Sequence, residues 1–239
     1  MSAVFKREMQ AYYLTPIGYV FMGCFLLVSG IFFVRGNLLQ NSANIGNYFN
    51  EISFVFIFIT PILTMRLFSE ERRTKTDQLL LTSPTSLWGI VLGKFLAASL
   101  VFAVTLAVTL VYMIVLNIYG YPANVEGMVV YLGFFLMGCC FIAIGSLMSA
   151  LSENQVTAAI STFGVALLVY LMDIIIPYLT FPFLGPVTTV LGWLSINTRF
   201  AEFSYGILNL SSIVYMVSFI AVFLFLTVRS IEKRRWSEG

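Results

Sequence analysis

Six stretches of this sequence stay apolar for about the thickness of a bilayer, and that repetition limits the fold more than any other feature. In lipid the backbone finds no water, so a spanning segment must satisfy its own hydrogen bonds as a helix or close into a barrel. Apolar runs of about 20 residues fit the helix, since a membrane strand needs only about 10. Charged residues make up 10% of the chain and hydrophobic ones 59%, whereas soluble domains carry roughly 25% charged residues. The expected fold is an all-α integral membrane protein, one transmembrane domain over residues 1–239. Its spans are expected at 17–34, 52–68, 90–118, 128–151, 156–176 and 207–228.

The segments between the spans have distinct characters. At 2–15, Phe5, Met9, Tyr12 and Tyr13 recur at helical spacing while Lys6 and Arg7 fall elsewhere, the pattern of a helix lying in the interface. No small-residue cleavage site closes the first apolar run, so no removable signal peptide is expected. Thr60-Pro61 predicts a kink in the second span. The third apolar helix starts near Leu87 and is longer than the hydrocarbon layer, so Trp88 and Lys94 are expected at the interface, with Lys94 snorkelling. The segment 177–206 is apolar but broken by Pro177, Pro182, Gly185, Pro186 and Gly192. Its longest clean run, Val187 to Ile196, is too short to cross and favours a re-entrant hairpin on the outer side.

Charge placement supplies the topology. With six spans, 11 of the 13 Lys and Arg residues fall on the side of the termini, leaving Arg35 and Arg199 opposite. The positive-inside bias therefore places both termini and the polar break Arg66–Lys94 in the cytoplasm.

The chemistry available at membrane depth is thin. The chain has no histidine, which removes the commonest general base and metal ligand. Cys24, Cys139 and Cys140 all lie in apolar runs and read as packing residues. Glu51, Glu126, Asp173 and Glu202 lie in or beside outer segments and form no paired-carboxylate motif. Asp173, near a helix end, reads as solvated or paired with Arg199. The ten methionines are scattered and read as packing. Small residues four apart (Gly89 and Gly93, Cys139 and Ala143, Gly145 and Ser149) fit close helix packing. Gly89-Ile-Val-Leu-Gly93-Lys94-Phe95 echoes a phosphate-binding loop, but that loop needs four residues between its glycines and Ser or Thr after the lysine. No enzyme activity and no bound cofactor are expected on this chain.

The polar break carries the sharpest signals. Thr76 can cap a short helix carrying Asp77, with Leu79, Leu80 and Leu81 on it, and Ser83-Pro84 fits the cap and first position of the next helix. Glu70, Glu71, Arg72, Arg73 and Lys75 precede it. The segment 69–88 reads either as a solvated loop whose leucines dip into the interface or as a knob offered to a soluble partner.

The run SEERRTKTDQLLLTSPTSLWGIVLGK resembles the first cytoplasmic loop of type 2 ABC exporter permeases. FKREMQAYYLTPIGYVF and LSINTRFAEFSYGILNLSSIVYMVSF support the same family, within which the gliding-motility-associated branch is most similar. Relatives tend to carry a Gly-Thr pair where Lys75-Thr76 stands here. The resemblance implies a permease subunit, paired with a second such subunit and with two separate cytoplasmic ATPase subunits that hold the ATP and magnesium. Residues Glu70, Glu71, Arg72, Arg73, Thr76, Asp77, Leu79, Leu80 and Leu81 would form the coupling segment. Re-entrant helices before the last span would close the outer mouth, with Asp173, Arg199 and Glu202 as candidate gate residues. It further implies a bacterial inner-membrane location, lipid contacts and no nucleic-acid partner, with an accessory envelope protein as a further candidate partner. An alternative in another class is a non-transporting component that transmits force or acts as a scaffold in an envelope or motility complex.

Overall fold

The computed structural model describes residues 2–42, 44–75, 86–119, 124–176, 192 and 195–237, the side chains of 2, 124, 173 and 234–237 excepted. Helices α1 (Ser2–Leu14), α2 (Pro16–Phe33), α3 (Ile45–Thr64), α4 (Ser69–Arg73) and α5 (Leu87–Val108) are followed by α6 (Leu110–Ile118), α7 (Asn124–Leu151), α8 (Gln155–Ile175), α9 (Ile196–Ser204) and α10 (Leu210–Ser237). A π-helical turn, Val34–Leu38, ends the first span. Among the described residues six helical stretches are long and apolar enough to cross a membrane: Pro16–Leu38, Ile45–Arg73, Leu87–Ile118, Val125–Leu151, Gln155–Met172 and Leu210–Lys233. The chain is an all-α, multi-pass membrane protein.

Helix α7 is the axis of the bundle and packs on α3, α5, α8, α9 and α10. Its glycines explain how so many neighbours reach it. A Cβ at Gly138 would lie 2.2 Å from the Phe102 ring of α5, one at Gly145 2.3 Å from Thr64 Oγ1 of α3, and one at Gly133 2.4 Å from Phe203 of α9. Each missing side chain is thus replaced by a side chain from a different helix. Without a hydrophobic drive between helices in lipid, such close approach supplies the attraction through dispersion. Around these contacts Phe25, Phe56, Phe102 and Phe134 form one aromatic cluster, with ring centroids 4.8–6.3 Å apart. One buried hydroxyl pair joins two helices: Ser29 and Tyr48 meet at 2.6 Å between α2 and α3.

Helix starts follow their caps. Asn44 accepts a hydrogen bond from Asn47 N at 3.0 Å, and Asn154 one from Val156 N at 3.1 Å. Capping corrects one expectation. Helix α5 begins at Leu87, with Ser86 extended and accepting from Gly89 N at 3.2 Å, so Ser83-Pro84 is not its cap. Helix α3 continues through Pro61, where the turn is closed by Met65 N donating to Pro61 O at 2.8 Å.

Helix α9 lies at the end of the bundle opposite α4, packed on α3, α7 and α8. Ser195 caps it, accepting from Thr198 N at 3.3 Å. It stops at Gly206, whose φ of +75° permits Gly206 N to reach Phe203 O at 2.8 Å and Ile207 N to reach Glu202 O at 3.1 Å. These two bonds close a helix end with glycine in the left-handed conformation. The rest of the expected re-entrant segment, 177–191 with 193 and 194, lies outside the described residues.

A candidate coupling site at one end of the bundle

The polar break leaves the membrane-spanning part of α3 at Thr64 and turns through Met65–Phe68 into α4. Ser149 of α7 makes that turn. Its Oγ accepts from the backbone N–H groups of Phe68 at 3.0 Å and Ser69 at 3.2 Å, and donates to Met65 O at 3.1 Å. The first N–H groups of a helix have no intrahelical acceptor, so α7 supplies one from outside.

Beside it sits Lys94 of α5, 1% exposed. Its ammonium contacts Leu67 O at 2.6 Å, Glu8 Oε1 at 2.9 Å and Glu71 Oε1 at 3.0 Å, with the Phe68 ring centroid 5.2 Å away. The three donors of an ammonium meet three oxygens. Arg7 closes the ring, 2.5 Å from Glu71 Oε1 and 3.3 Å from Glu8 Oε1. Lys94, Glu8, Arg7 and Glu71 therefore alternate in sign around a neutral square that joins α1, α4 and α5. The expectation that Lys94 snorkels to the interface is corrected. Its chain turns inward because two carboxylates and a carbonyl at the end of α3 satisfy it better than the membrane surface can.

Further contacts extend the same mount. Arg66 Nε pairs with Glu70 Oε2 at 2.7 Å and its Nη1 donates to Thr15 Oγ1 at 2.9 Å. Arg72 pairs with Glu153 Oε1 at 2.6 Å and donates to Leu151 O at 3.1 Å, tying α4 to the turn between α7 and α8. Tyr12 is buried and donates to Leu63 O at 2.7 Å. Burial first, then the nearby Glu8, push its phenol well above the ordinary value against the opposing Arg66, so it stays a protonated donor at working pH. Tyr12→Phe should cost about 1–3 kcal/mol, because it leaves a buried carbonyl at the end of α3 without its donor. Thermal unfolding in nanodiscs would measure this, and an unchanged melting temperature would remove Tyr12 from the mount.

The expected interfacial face of α1 is thus turned largely onto protein. Phe5 and Met9 pack against the core and Tyr12 is buried, while Lys6, Arg7 and Tyr13 are exposed. Gly93 explains the crossing, since a Cβ there would meet Val4 Cγ1 at 3.2 Å.

Of the expected coupling residues, Glu70, Glu71 and Arg72 are fixed by ion pairs and Arg73 is exposed. Lys75 takes φ +56°, the left-handed region that favours glycine. Thr76, Asp77, Leu79, Leu80 and Leu81 lie outside the described residues, as does the side chain of Asp173. The other candidate gate residues are not joined to each other by an ion pair among the described residues. Arg199 lies over the Tyr215 ring at 5.4 Å, and Glu202 accepts from Ser212 Oγ. Sequence reasoning missed Glu8, Ser149 and Glu153. Glu8 was within reach, since it shares the i, i+4 face of Val4 and Tyr12, both buried.

Among the described residues no group of three or more Cys, Asp or Glu side chains could hold a metal ion. Residues 28–236 match the family model of the ABC-2 family transporter protein. The chain belongs to the ABC-2 transporter family. It is therefore a membrane permease component of an ABC transporter, and the family implies partnership with an ABC ATPase. No curated protein matches the chain. In this ABC-2 permease the charged square lies where the segment between the second and third spans leaves the bundle.

Proposed function

We propose that this chain is the permease subunit of an ATP-driven exporter, moved by a separate cytoplasmic ATPase that grips the segment around Thr76–Leu81. The observation that carries this reading is the mounting of that segment. Residues on both sides of 76–85 are locked to α1, α7 and the turn at Ser152–Asn154 by the contacts of Lys94, Arg72 and Ser149. A push on the segment would thus move α3, α5 and α1 together as a rigid body. The cluster lies at the end of the bundle that holds the basic termini, which supports a cytoplasmic placement in a bacterial inner membrane.

The pathway runs between two such subunits, homodimeric or paired with a similar chain, because the centre of the single bundle is filled by Phe25, Phe56, Phe102 and Phe134. The run SEERRTKTDQLLLTSPTSLWGIVLGK supports the gliding-motility-associated branch within the family. The same filled centre favours a second reading, a component that transmits force within an envelope or motility complex without a cargo. Stimulation of ATPase activity by a transported compound in the reconstituted complex supports the exporter. ATPase activity indifferent to every compound but dependent on an envelope partner supports the second reading.

Leu79→Asp and Leu80→Asp place a charge in the ATPase cleft. Both are expected to abolish stimulation of the ATPase while the permease still inserts in the membrane. Normal co-purification of the ATPase with both variants would overturn the coupling assignment.

A further inference from the structure

We propose that the groove between the start of α5 and the end of α10 binds the headgroup region of an anionic phospholipid. The groove has a volume of about 380 Å³ and is lined by Leu87, Trp88, Phe225, Val228, Arg229 and Glu232. Its two halves differ in kind. Trp88 and Phe225 stand with ring centroids 6.2 Å apart and both are exposed, an aromatic wall open to the surroundings. Arg229 lies over the Phe225 ring at 5.1 Å and pairs with Glu232 Oε2 at 2.7 Å through Nη1. Its other N–H groups have no recorded partner among the described residues.

Depth and charge choose the occupant. The helical stretch Leu87–Ile118 has 32 residues, about 48 Å at 1.5 Å per residue, against a hydrocarbon layer of about 30 Å. Its first turn therefore overhangs into the headgroup layer, where tryptophan is favoured. Residues 229–235 bring Arg229, Lys233, Arg234 and Arg235 against one acid, Glu232. A phosphate at this depth would take the free edge of the Arg229 guanidinium, while its glycerol and upper chains would lie against Trp88 and Phe225. Basic pockets between spans are suited to anionic headgroups. Such a lipid would clasp α5 to α10 directly beside the segment 76–85.

The test uses the full chain carrying Trp193→Phe and Trp236→Phe, which leaves Trp88 as its only tryptophan, in phosphatidylcholine bilayers. Brominated phosphatidylglycerol and brominated phosphatidylcholine are compared as quenchers at equal mole fraction. The anionic lipid is expected to bind about five-fold more strongly, the effect of one well-placed basic residue. Arg229→Gln should remove most of that preference. Glu232→Gln should increase it, because the competing carboxylate is gone. Equal quenching by the two lipids would overturn the proposal, as would absence of quenching by either, which would mean that protein covers the groove. A preference that survives Arg229→Gln but vanishes on neutralising Lys233, Arg234 and Arg235 would also overturn it, since it would then come from diffuse surface charge.

Discussion

Replacing Lys94 with methionine should destabilise the permease by about 3–5 kcal/mol, the usual cost of removing one partner from a buried ion pair. The reason is the charge left behind. Glu8 and Glu71, with side chains 14% and 17% exposed, would face each other with only the peripheral Arg7 between them. Leu67 O would also lose its donor. Thermal unfolding in nanodiscs should show a fall of roughly 10 °C. Adding Glu8→Gln to Lys94→Met should recover part of the loss, because it removes one of the two uncompensated carboxylates. A purely steric role for the lysine stem predicts no such recovery, since methionine keeps most of the stem. Function should respond more sharply than stability. With α1 released from α4 and α5, ATPase stimulation should fall even in protein that remains folded below its melting point. A Lys94→Met permease that melts and couples like the wild type would show that the square is not a mount.

What the sequence disclosed about this region, and what it withheld, follows from the range of the forces involved. The six apolar helices were legible because the cost of unpaired backbone in lipid acts on each segment alone. The polar break was legible for the same reason, as charges excluded from the hydrocarbon. The destination of Lys94 was not, because snorkelling and burial start from the same apolar run and differ only in whether a carboxylate waits in the interior. That carboxylate, Glu8, comes from 86 positions earlier in the chain. Its signal was the shared face with Val4 and Tyr12, which reads equally as membrane surface or protein surface until α5 is seen to cross it at Gly93. Ser149 stands four residues after Gly145, the spacing of a pair of small packing residues. Gly145 does serve as one, whereas one turn on the hydroxyl of Ser149 holds the entry to α4. Small size and hydrogen-bonding capacity coincide in serine, so spacing alone does not separate the two roles.

Gly46→Ala is expected to have the largest effect at the opposite end. A Cβ at Gly46 would lie 2.0 Å from Ser204 O and 3.0 Å from Ser204 C, backbone atoms at the end of α9. No rotamer change relieves a clash with backbone, so either α9 lifts from α3 or the start of α3 shifts. Overpacking of this kind costs about 1–3 kcal/mol, and a backbone clash belongs at the upper end. The loss should be local first. Phe203 sits over Gly133, and Gly206 packs against Glu126, so lifting α9 withdraws both contacts from α7 while leaving the aromatic cluster in place. Amide hydrogen exchange should therefore speed up across Ile196–Ser204 well before it does in the middle of α7. Gly164→Ala is the matching control, because among the described residues nothing lies within 4 Å of a Cβ there. On a face open to lipid it should be neutral or stabilising by up to about 1 kcal/mol through helix propensity. A loss at Gly164 comparable to that at Gly46 would instead mean that a second protein surface covers this side of α8, and would place the subunit contact there. If Gly46→Ala leaves both stability and α9 exchange unchanged, the close seating of α9 on α3 is wrong.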